Sequence, residues 1–242
     1  RVSLHSLPHL LCPRPASGRG LFASGFFCRM GLYISTPSWY NVWTAFERVP
    51  KMNHSFFAYL FRMRYIARWA LMRNTRTENV EEHSYEVAVL AHALAVIGRD
   101  VFHKEINPDQ AAVTALFHDA PEIITGDMPT PIKYYNPSLK NAYKQVEAAA
   151  QDKLLSMLPP ELAPAYEPLV RESDPAAARY VKAADKLSAY IKCVEEGKAG
   201  NAEFKKAAEQ TLAALKAMDM EELDWFMERF LPAFSLTLDE LQ

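Results

Sequence analysis

The chain has 242 residues, of which 50% are hydrophobic and 23% are charged, and its formal net charge is -2. This hydrophobic content is enough for a packed core and excludes a wholly disordered protein. No window approaches the run of about 18 apolar residues that crosses a membrane, and the near-neutral charge argues against a general nucleic-acid-binding protein. We therefore expect a protein that binds neither a membrane nor a nucleic-acid polymer.

Residues 1–51 differ in composition from the rest of the chain. They contain six Lys or Arg residues and one acid, a charge of +5, which leaves -7 for residues 52–242. Their hydrophobic residues follow neither the helical nor the strand period. We interpret residues 1–51 as a disordered or non-native extension before a natural start at Met52, with an acid-poor organelle transit peptide as the alternative. Residues 52–242 are then the single folded domain.

The cysteines indicate the redox setting. Cys12, Cys28 and Cys193 are odd in number and too widely spaced for a zinc-binding pair or a disulfide framework. This usage is typical of a reducing, intracellular environment, and we expect a cytoplasmic protein. Cys193 is predicted to be a buried apolar residue on a helix.

Residues 52–242 are predicted to be helical throughout. Apolar residues recur at spacings of three and four, and no alternating run with a hairpin turn occurs. Asn107-Pro108 and Asp174-Pro175 each combine a capping residue with a first-turn proline, a pattern that starts helices. In chain order, the predicted helices cover approximately 54–65, 80–97, 107–119, 138–158, 174–197, 203–217 and 221–230. We therefore expect an all-α fold, a single bundle of six or more helices.

The third predicted helix ends on a histidine and an aspartate that could bind a metal ion. Glu122 follows His118 by four residues, which would place both on one helical face. An imidazole beside the carboxylate of Asp119 suits a divalent transition metal, although a histidine at a helix end also stabilises the helix dipole. His83 near the start of the preceding helix strengthens the metal interpretation. So does Asp185, a carboxylate within an apolar stripe that is costly unless paired or metal-bound.

The order His, His-Asp, Asp, with each element on its own helix, resembles that of the HD-domain metal phosphohydrolases. Longer motifs are similar to the bacterial 5'-deoxynucleotidases of that superfamily, and they occur at 61–73, 76–84, 118–122, 125–134 and 230–240. The similarity spans residues 52–242 and omits residues 1–51, in agreement with the change in composition. It implies that residues 52–242 form one HD-domain helical bundle.

The resemblance also implies a metal site and its general acid or base. Four residues would hold one divalent cation: His83, His118, Asp119 and Asp185. We expect Co2+, with Mn2+, Cu2+ and Zn2+ as alternatives. The ligand types accept all of these ions. Glu122 would orient or deprotonate the attacking water.

The substrate contacts are likewise implied by the resemblance. Arg68 would bind the phosphate and stabilise its developing charge, and Trp69 would pack against the sugar and leave no room for a 2'-hydroxyl. Asp127 is the expected partner of the 3'-hydroxyl. The implied substrate-binding residues are Arg68, Trp69, His83, Asp119, Asp127, Met128, Pro129, Thr130 and Asp185.

The expected reaction is hydrolysis of 2'-deoxyribonucleoside 5'-monophosphates to deoxynucleoside and phosphate. One alternative is an HD-type nucleoside triphosphohydrolase or phosphodiesterase, which would need more cations around the pocket. Another is a non-catalytic nucleotide-binding helical module, against which the intact ligand set argues. The resemblance also implies a homodimer, and the aromatic residues Trp225, Phe226 and Phe230 could belong to its interface or to the core.

Overall fold

The part of the chain with a described conformation is helical. The computed structural model describes residues 54–133 and 135–241, and for Thr130 it describes the backbone alone. The predicted extension, residues 1–51, lies outside the described residues, as do Cys12 and Cys28. The extended structure in the described ranges is one isolated bridge between Ala67 and Asn79, so the predicted all-α fold is confirmed. None of the described helices has the length and hydropathy of a membrane span.

The helices of the described residues follow one another with connections of different lengths, the longest of which lies between the first two helices. The α-helices of the described residues are α1 (Phe56–Leu60), α2 (Val80–Asp100), α3 (Pro108–Phe117), α4 (Glu122–Thr125), α5 (Thr130–Lys133), α6 (Pro137–Leu155), α7 (Ala163–Val170), α8 (Pro175–Lys198), α9 (Lys205–Lys216) and α10 (Glu221–Arg229). Short 3-10 segments occur at Met63–Tyr65, Ala202–Phe204, Leu231–Ser235 and Leu238–Leu241.

Polar side chains cap the N-termini of α2, α3, α6 and α8. Asn79 accepts the amide N–H of Glu82, whose carboxylate accepts the N–H of Asn79, and this reciprocal capping box starts α2. Asn107 and Asp174 accept first-turn amides before α3 and α8, as predicted. Asn136 caps α6 in the same way, so that helix starts one residue before the predicted position.

Several segments differ from the predicted helices, among them the short helices α4 and α5, which match no predicted helix. The helix predicted over 54–65 is a short α1 followed by the 3-10 turn Met63–Tyr65. The helix α7 was not predicted, because prolines near its start and at Pro168 within it weaken the helical pattern. The prediction was therefore weakest where the segments are short or contain proline.

The bundle is centred on α2 and α8, with α3 packed against both. The predicted apolar face of α2 is buried in this core, and Cys193 on α8 is buried as predicted. A second apolar cluster contains Phe56, Leu154 and Val170 from α1, α6 and α7. Ala115 near the end of α3 belongs to the first cluster, and Ala120 belongs to the second. Ala120 lies in the connection between α3 and α4, which also carries the predicted His-Asp pair.

Gly98 on α2 marks a close approach to α8. A Cβ atom there would collide with the hydroxyl of Tyr180, which donates a 2.5 Å hydrogen bond to Glu222. We expect Gly98→Ala to lower the free energy of unfolding by about 1–3 kcal/mol through overpacking. Gly197 on α8 has no atom within 4 Å of an added Cβ. We therefore expect Gly197→Ala to raise the free energy of unfolding by up to about 1 kcal/mol. Denaturant unfolding of both variants checks these opposite signs, and equal effects would contradict the packing argument.

Candidate active site

The His-Asp pair lies in a turn between α3 and α4. The helix α3 ends at Phe117, so His118 and Asp119 follow it, and Glu122 is the first residue of α4. The prediction that His118 and Glu122 share one helical face is therefore wrong. The physical reason is Pro121, which has no N–H to continue the hydrogen-bond ladder of α3. The chain passes instead through tighter i→i+3 turns.

The four predicted metal ligands come together from three parts of the fold. The Nε2 atom of His118 lies 3.2 Å from Oδ2 of Asp119, and Nε2 of His83 lies 3.6 Å from the same oxygen. Potential ligand atoms of these three residues all lie within 4.8 Å of one another. Asp185 from α8 joins the cluster through Oδ1, 3.2 Å from Nε2 of His83.

The surroundings orient both imidazoles so that their Nε2 atoms face the cluster. Nδ1 of His118 lies 2.7 Å from the carbonyl oxygen of Ala115, to which it donates. Nδ1 of His83 lies 3.3 Å from Oγ of Ser188, whose hydroxyl donates to Glu86 over 3.1 Å. Each Nε2 atom is buried 3.2 Å from a carboxylate oxygen but makes no well-aligned hydrogen bond among the described residues. Imidazole nitrogens held beside carboxylates in this way are what a divalent cation requires of its ligands, so these residues fit a metal ion.

The charges of the cluster stabilise one another. Burial alone would lower the pKa of His118, but the carboxylate of Asp119 outweighs burial and raises that pKa. Burial alone would raise the pKa of Asp119, and the charges of His118, His83 and Arg68 instead hold it well below its usual range. The carboxylates at this point therefore favour a nearby positive charge, such as a metal ion would supply.

Glu122 occupies a different electrostatic environment from the ligands. Its Oε2 atom is buried without a hydrogen-bond partner among the described residues. Burial, followed by the negative charges of Asp119 and Asp127, raises the pKa of Glu122 to about 9. A carboxyl group beside the ligand cluster with a raised pKa has the properties of a general acid or base.

The second element of the site is the 68–78 loop, which leads into α2. Its base is closed by the bridge between Ala67 and Asn79 and by a 2.9 Å hydrogen bond from the N–H of Arg68 to the carbonyl oxygen of Glu78. At the base of the loop, the side chain of Arg68 also reaches the His/Asp cluster, since its Nη1 atom lies 3.4 Å from Oδ2 of Asp119. The loop therefore brings a guanidinium to the ligand cluster.

The far end of the 68–78 loop is held by Glu196 of α8, which is 1% exposed. Its carboxylate accepts the N–H of Thr75 at 3.0 Å, Nζ of Lys192 at 2.6 Å and Nδ2 of Asn201 at 2.8 Å. Burial alone would raise the pKa of Glu196, but these hydrogen bonds outweigh it and hold that pKa far below its usual range. This anchor is not recognisable in the sequence, since Lys192 and Glu196 resemble an ordinary surface pair one helical turn apart.

Trp69 adopts a strained backbone conformation within this loop. Its φ is +56°, a left-handed conformation that costs a bulky residue about 1–3 kcal/mol. Three contacts hold it: its carbonyl oxygen accepts Nδ2 of Asn74 at 3.2 Å, its ring centroid lies 5.3 Å from that of Phe204, and its Nε1 donates to Glu78 over 3.2 Å. Strain that is retained by several contacts is characteristic of functional sites.

The loop after α4 borders the same region. It begins at Gly126, whose φ of +74° ends the helix. Asp127, Met128 and Pro129 are half-buried, and the side chain of Thr130 lies outside the described residues. Burial, together with the charge of Asp119, raises the pKa of Asp127 despite the opposing charge of Arg68. Asp127 is thus within electrostatic reach of the ligand cluster.

Solved structures share this fold. An HD-domain phosphohydrolase from Listeria innocua matches with a TM-score of 0.67 and 25% identity, covering 75% of this chain and 88% of that one. The cyanophage S-2L HD phosphohydrolase DatZ, bound to dA and one catalytic Zn2+ ion, matches with a TM-score of 0.54 and 25% identity, covering 74% of this chain and 96% of that one. The fold and the His/Asp cluster define an HD-domain phosphohydrolase.

Sequence relatives narrow this class. The family model for 5'-deoxynucleotidase YfbR-like proteins matches residues 55–234. A 5'-deoxynucleotidase of Erwinia tasmaniensis is 52% identical, covering 78% of this chain and 98% of the relative. YfbR of Escherichia coli O1:K1 / APEC is 49% identical, covering 79% of this chain and 96% of the relative. The chain therefore belongs to the YfbR-like 5'-deoxynucleotidase family, and the resemblance inferred from its motifs is confirmed.

Proposed function

We propose that this protein is a metal-dependent 5'-deoxynucleotidase, which hydrolyses 2'-deoxyribonucleoside 5'-monophosphates to deoxynucleoside and phosphate. The observation that carries this proposal is that the anchored 68–78 loop, which contains Arg68 and Trp69, brings Arg68 to the His/Asp cluster. Its relatives are named 5'-deoxynucleotidases, and dA, the ligand of DatZ, is a deoxynucleoside.

The proposed ligands of one divalent cation are His83, His118, Asp119 and Asp185, whose polar atoms converge. A cation at this site would supply a Lewis acid for the phosphate and make water acidic enough to attack near neutral pH. We propose Co2+ as the native ion, with Mn2+, Cu2+ and Zn2+ as alternatives, since imidazole and carboxylate ligands accept them all.

Glu122 and Arg68 have distinct roles in the proposed reaction. Glu122 orients the attacking water and takes its proton in the ionised form, which a cation held by the four ligands would favour by offsetting the negative charges that raise the pKa of Glu122. Arg68 binds the phosphate through its Nη end, because Nε is bonded to Glu78, and it stabilises the charge on the equatorial oxygens. Both groups act from fixed positions, so that the reacting atoms are aligned on binding.

The sugar is proposed to lie between the two loops. The indole of Trp69 packs against the deoxyribose and excludes a 2'-hydroxyl by shape, and Asp127 accepts the 3'-hydroxyl. His83, Asp119 and Asp185 contact the substrate from the metal side, and Met128, Pro129 and Thr130 complete the pocket. The strained backbone of Trp69 supports this arrangement, since the contacts with Asn74, Phe204 and Glu78 that retain it also fix the ring.

The proposed assembly is a homodimer in the cytoplasm. Phe226 belongs to the buried core, whereas Phe230 is 46% exposed and in ring contact with Trp225. We propose that the exposed side of this aromatic pair contributes to the dimer interface. The cysteine usage supports a reducing compartment.

Phosphate release from dAMP tests the proposed function. With Co2+ or Mn2+ added, the purified protein should hydrolyse dAMP faster than AMP and should leave dATP intact. Excess EDTA should abolish the activity, and added metal should restore it. Failure to release phosphate from dAMP with either ion would refute the proposal, and faster cleavage of dATP would identify a triphosphohydrolase instead.

A further inference from the structure

Glu78 places one buried carboxylate among three residues of the site. It is 9% exposed. Its Oε1 accepts Nε of Arg68 at 2.9 Å and lies 3.5 Å from Nδ1 of His83. Its Oε2 accepts the indole Nε1 of Trp69 at 3.2 Å. One side chain therefore contacts the phosphate-binding cation, the sugar-facing ring and a metal ligand.

We propose that Glu78 is a positioning residue that sets the sugar specificity of this protein by fixing the indole of Trp69. The proposal rests on the proposed function, in which Trp69 excludes a 2'-hydroxyl. Shape exclusion works only if the wall cannot move, because a ring that shifts aside would admit the larger sugar. The same carboxylate holds Nε of Arg68, so the sugar wall and the phosphate-binding group keep a fixed spacing.

The chemistry of these donors requires a carboxylate. Nε of Arg68 and Nε1 of Trp69 are N–H donors on consecutive residues, and Glu78 offers each its own oxygen. A glutamine of the same shape has one acceptor oxygen and one NH2 group, so it can accept from one donor and must face the other with a donor. The second contact on the indole, the ring of Phe204, is apolar and allows the ring to slide. The Glu78 bond is therefore the directional one.

The contact with His83 is weaker than the other two. Nδ1 of His83 lies nearer to Oγ of Ser188, at 3.3 Å, than to Glu78, at 3.5 Å. Loss of the Glu78 carboxylate would leave His83 oriented by Ser188. The proposal therefore assigns Glu78 to substrate positioning, and metal binding should survive its replacement by glutamine.

The central test is Glu78→Gln, assayed with dAMP and AMP. The ratio of kcat/KM for dAMP over AMP should fall by about tenfold, the size expected for losing one hydrogen bond to a charged acceptor. The KM for dAMP should rise more than kcat falls, and the protein should still bind one equivalent of Co2+. The indole N–H resonance of Trp69, assigned by its absence in Trp69→Phe, should shift. An unchanged dAMP preference in Glu78→Gln would overturn the proposal.

The matched control is Glu81→Gln, three residues further along the chain in the first turn of α2. Glu81 is paired with Arg64 at the surface, so this variant should keep the wild-type sugar preference and indole resonance. If Glu81→Gln also lost the preference for dAMP over AMP, removal of any negative charge near the start of α2 would be sufficient to change the sugar specificity. That result would also overturn the proposal.

A double-mutant cycle separates the inference from the proposed function. Trp69→Phe lacks the indole N–H, so adding Glu78→Gln to it should change the dAMP preference no further. A further loss in the double variant would mean that Glu78 acts on the sugar independently of Trp69, which contradicts the proposal. Full dAMP preference in Trp69→Phe alone would refute the proposed role of Trp69 and the inference with it. Trp69→Phe retains Glu78, so it tests the same contact even if Glu78→Gln fails to fold.

Discussion

Glu122→Ala should bind one equivalent of Co2+ as the wild type does and hydrolyse dAMP slower by a factor of about 10²–10⁴, the usual contribution of a general acid or base. The carboxyl group of Glu122 is buried beside the ligand cluster without a hydrogen-bond partner among the described residues. Its removal leaves the four proposed ligands in place and takes away the group that is proposed to accept the proton of the attacking water. Steady-state phosphate release and metal content of the same sample check both halves of this expectation.

The control for this variant is Glu221→Ala. Glu221 also begins a helix, α10, and its contact with Lys104 is at the surface. Both changes remove one negative charge from a helix N-terminus, so a general effect of that charge would appear in both. Wild-type turnover in Glu122→Ala would exclude Glu122 from the proton transfer. Lost metal in that variant would instead make Glu122 part of the metal site.

Asp119→Asn should lose both metal binding and activity. Its Oδ2 atom contacts three other residues of the site. It lies 3.2 Å from Nε2 of His118, 3.6 Å from Nε2 of His83 and 3.4 Å from Nη1 of Arg68. An amide of the same shape removes the charge that attracts the cation and turns a donor toward the histidines. The affinity for Co2+, measured by calorimetry, should fall by more than the roughly 10–100-fold cost of changing a group that only orients a ligand.

The control for Asp119 is Asp109→Asn on α3. The side chain of Asp109 is 90% exposed, and this variant should bind Co2+ with wild-type affinity. Unfolding in EDTA separates the metal effect from a general loss of stability, since the apo forms are then compared directly. Wild-type Co2+ affinity in Asp119→Asn would show that Asp119 is not a ligand.

Local patterns in the sequence predict the long helices well, for identifiable reasons. The capping residues of α3 and α8 and the apolar stripe of α2 act within a few residues of one another, so the sequence displays them directly. The predicted continuation of α3 through His118 is wrong because Pro121 cannot continue the helix. Pro121 is a visible sign that a helix ends, whereas the prolines of α7 argue against a helix that the structure nevertheless contains.

The candidate site was predictable only in part. The His and Asp residues come from motifs whose order is visible in the chain. The roles of Glu78 and Glu196 depend on partners elsewhere in the fold, and each occurs in a charged segment that is typical of a solvated surface. The left-handed conformation of Trp69 has no local signal either, because it is imposed by the contacts of the 68–78 loop.

The Glu196 anchor has a consequence for how the site is made during synthesis. Glu196 lies 121 positions after Thr75, whose backbone it holds, and Asp185 belongs to the same late helix. A contact between residues so far apart in the chain costs chain entropy, and it forms after the local helices. A nascent chain that ends before α8 has Arg68, Trp69 and the His-Asp pair but lacks both Asp185 and Glu196. We therefore expect such a truncated chain to lack phosphatase activity, because one proposed metal ligand and the anchor of the 68–78 loop are both missing.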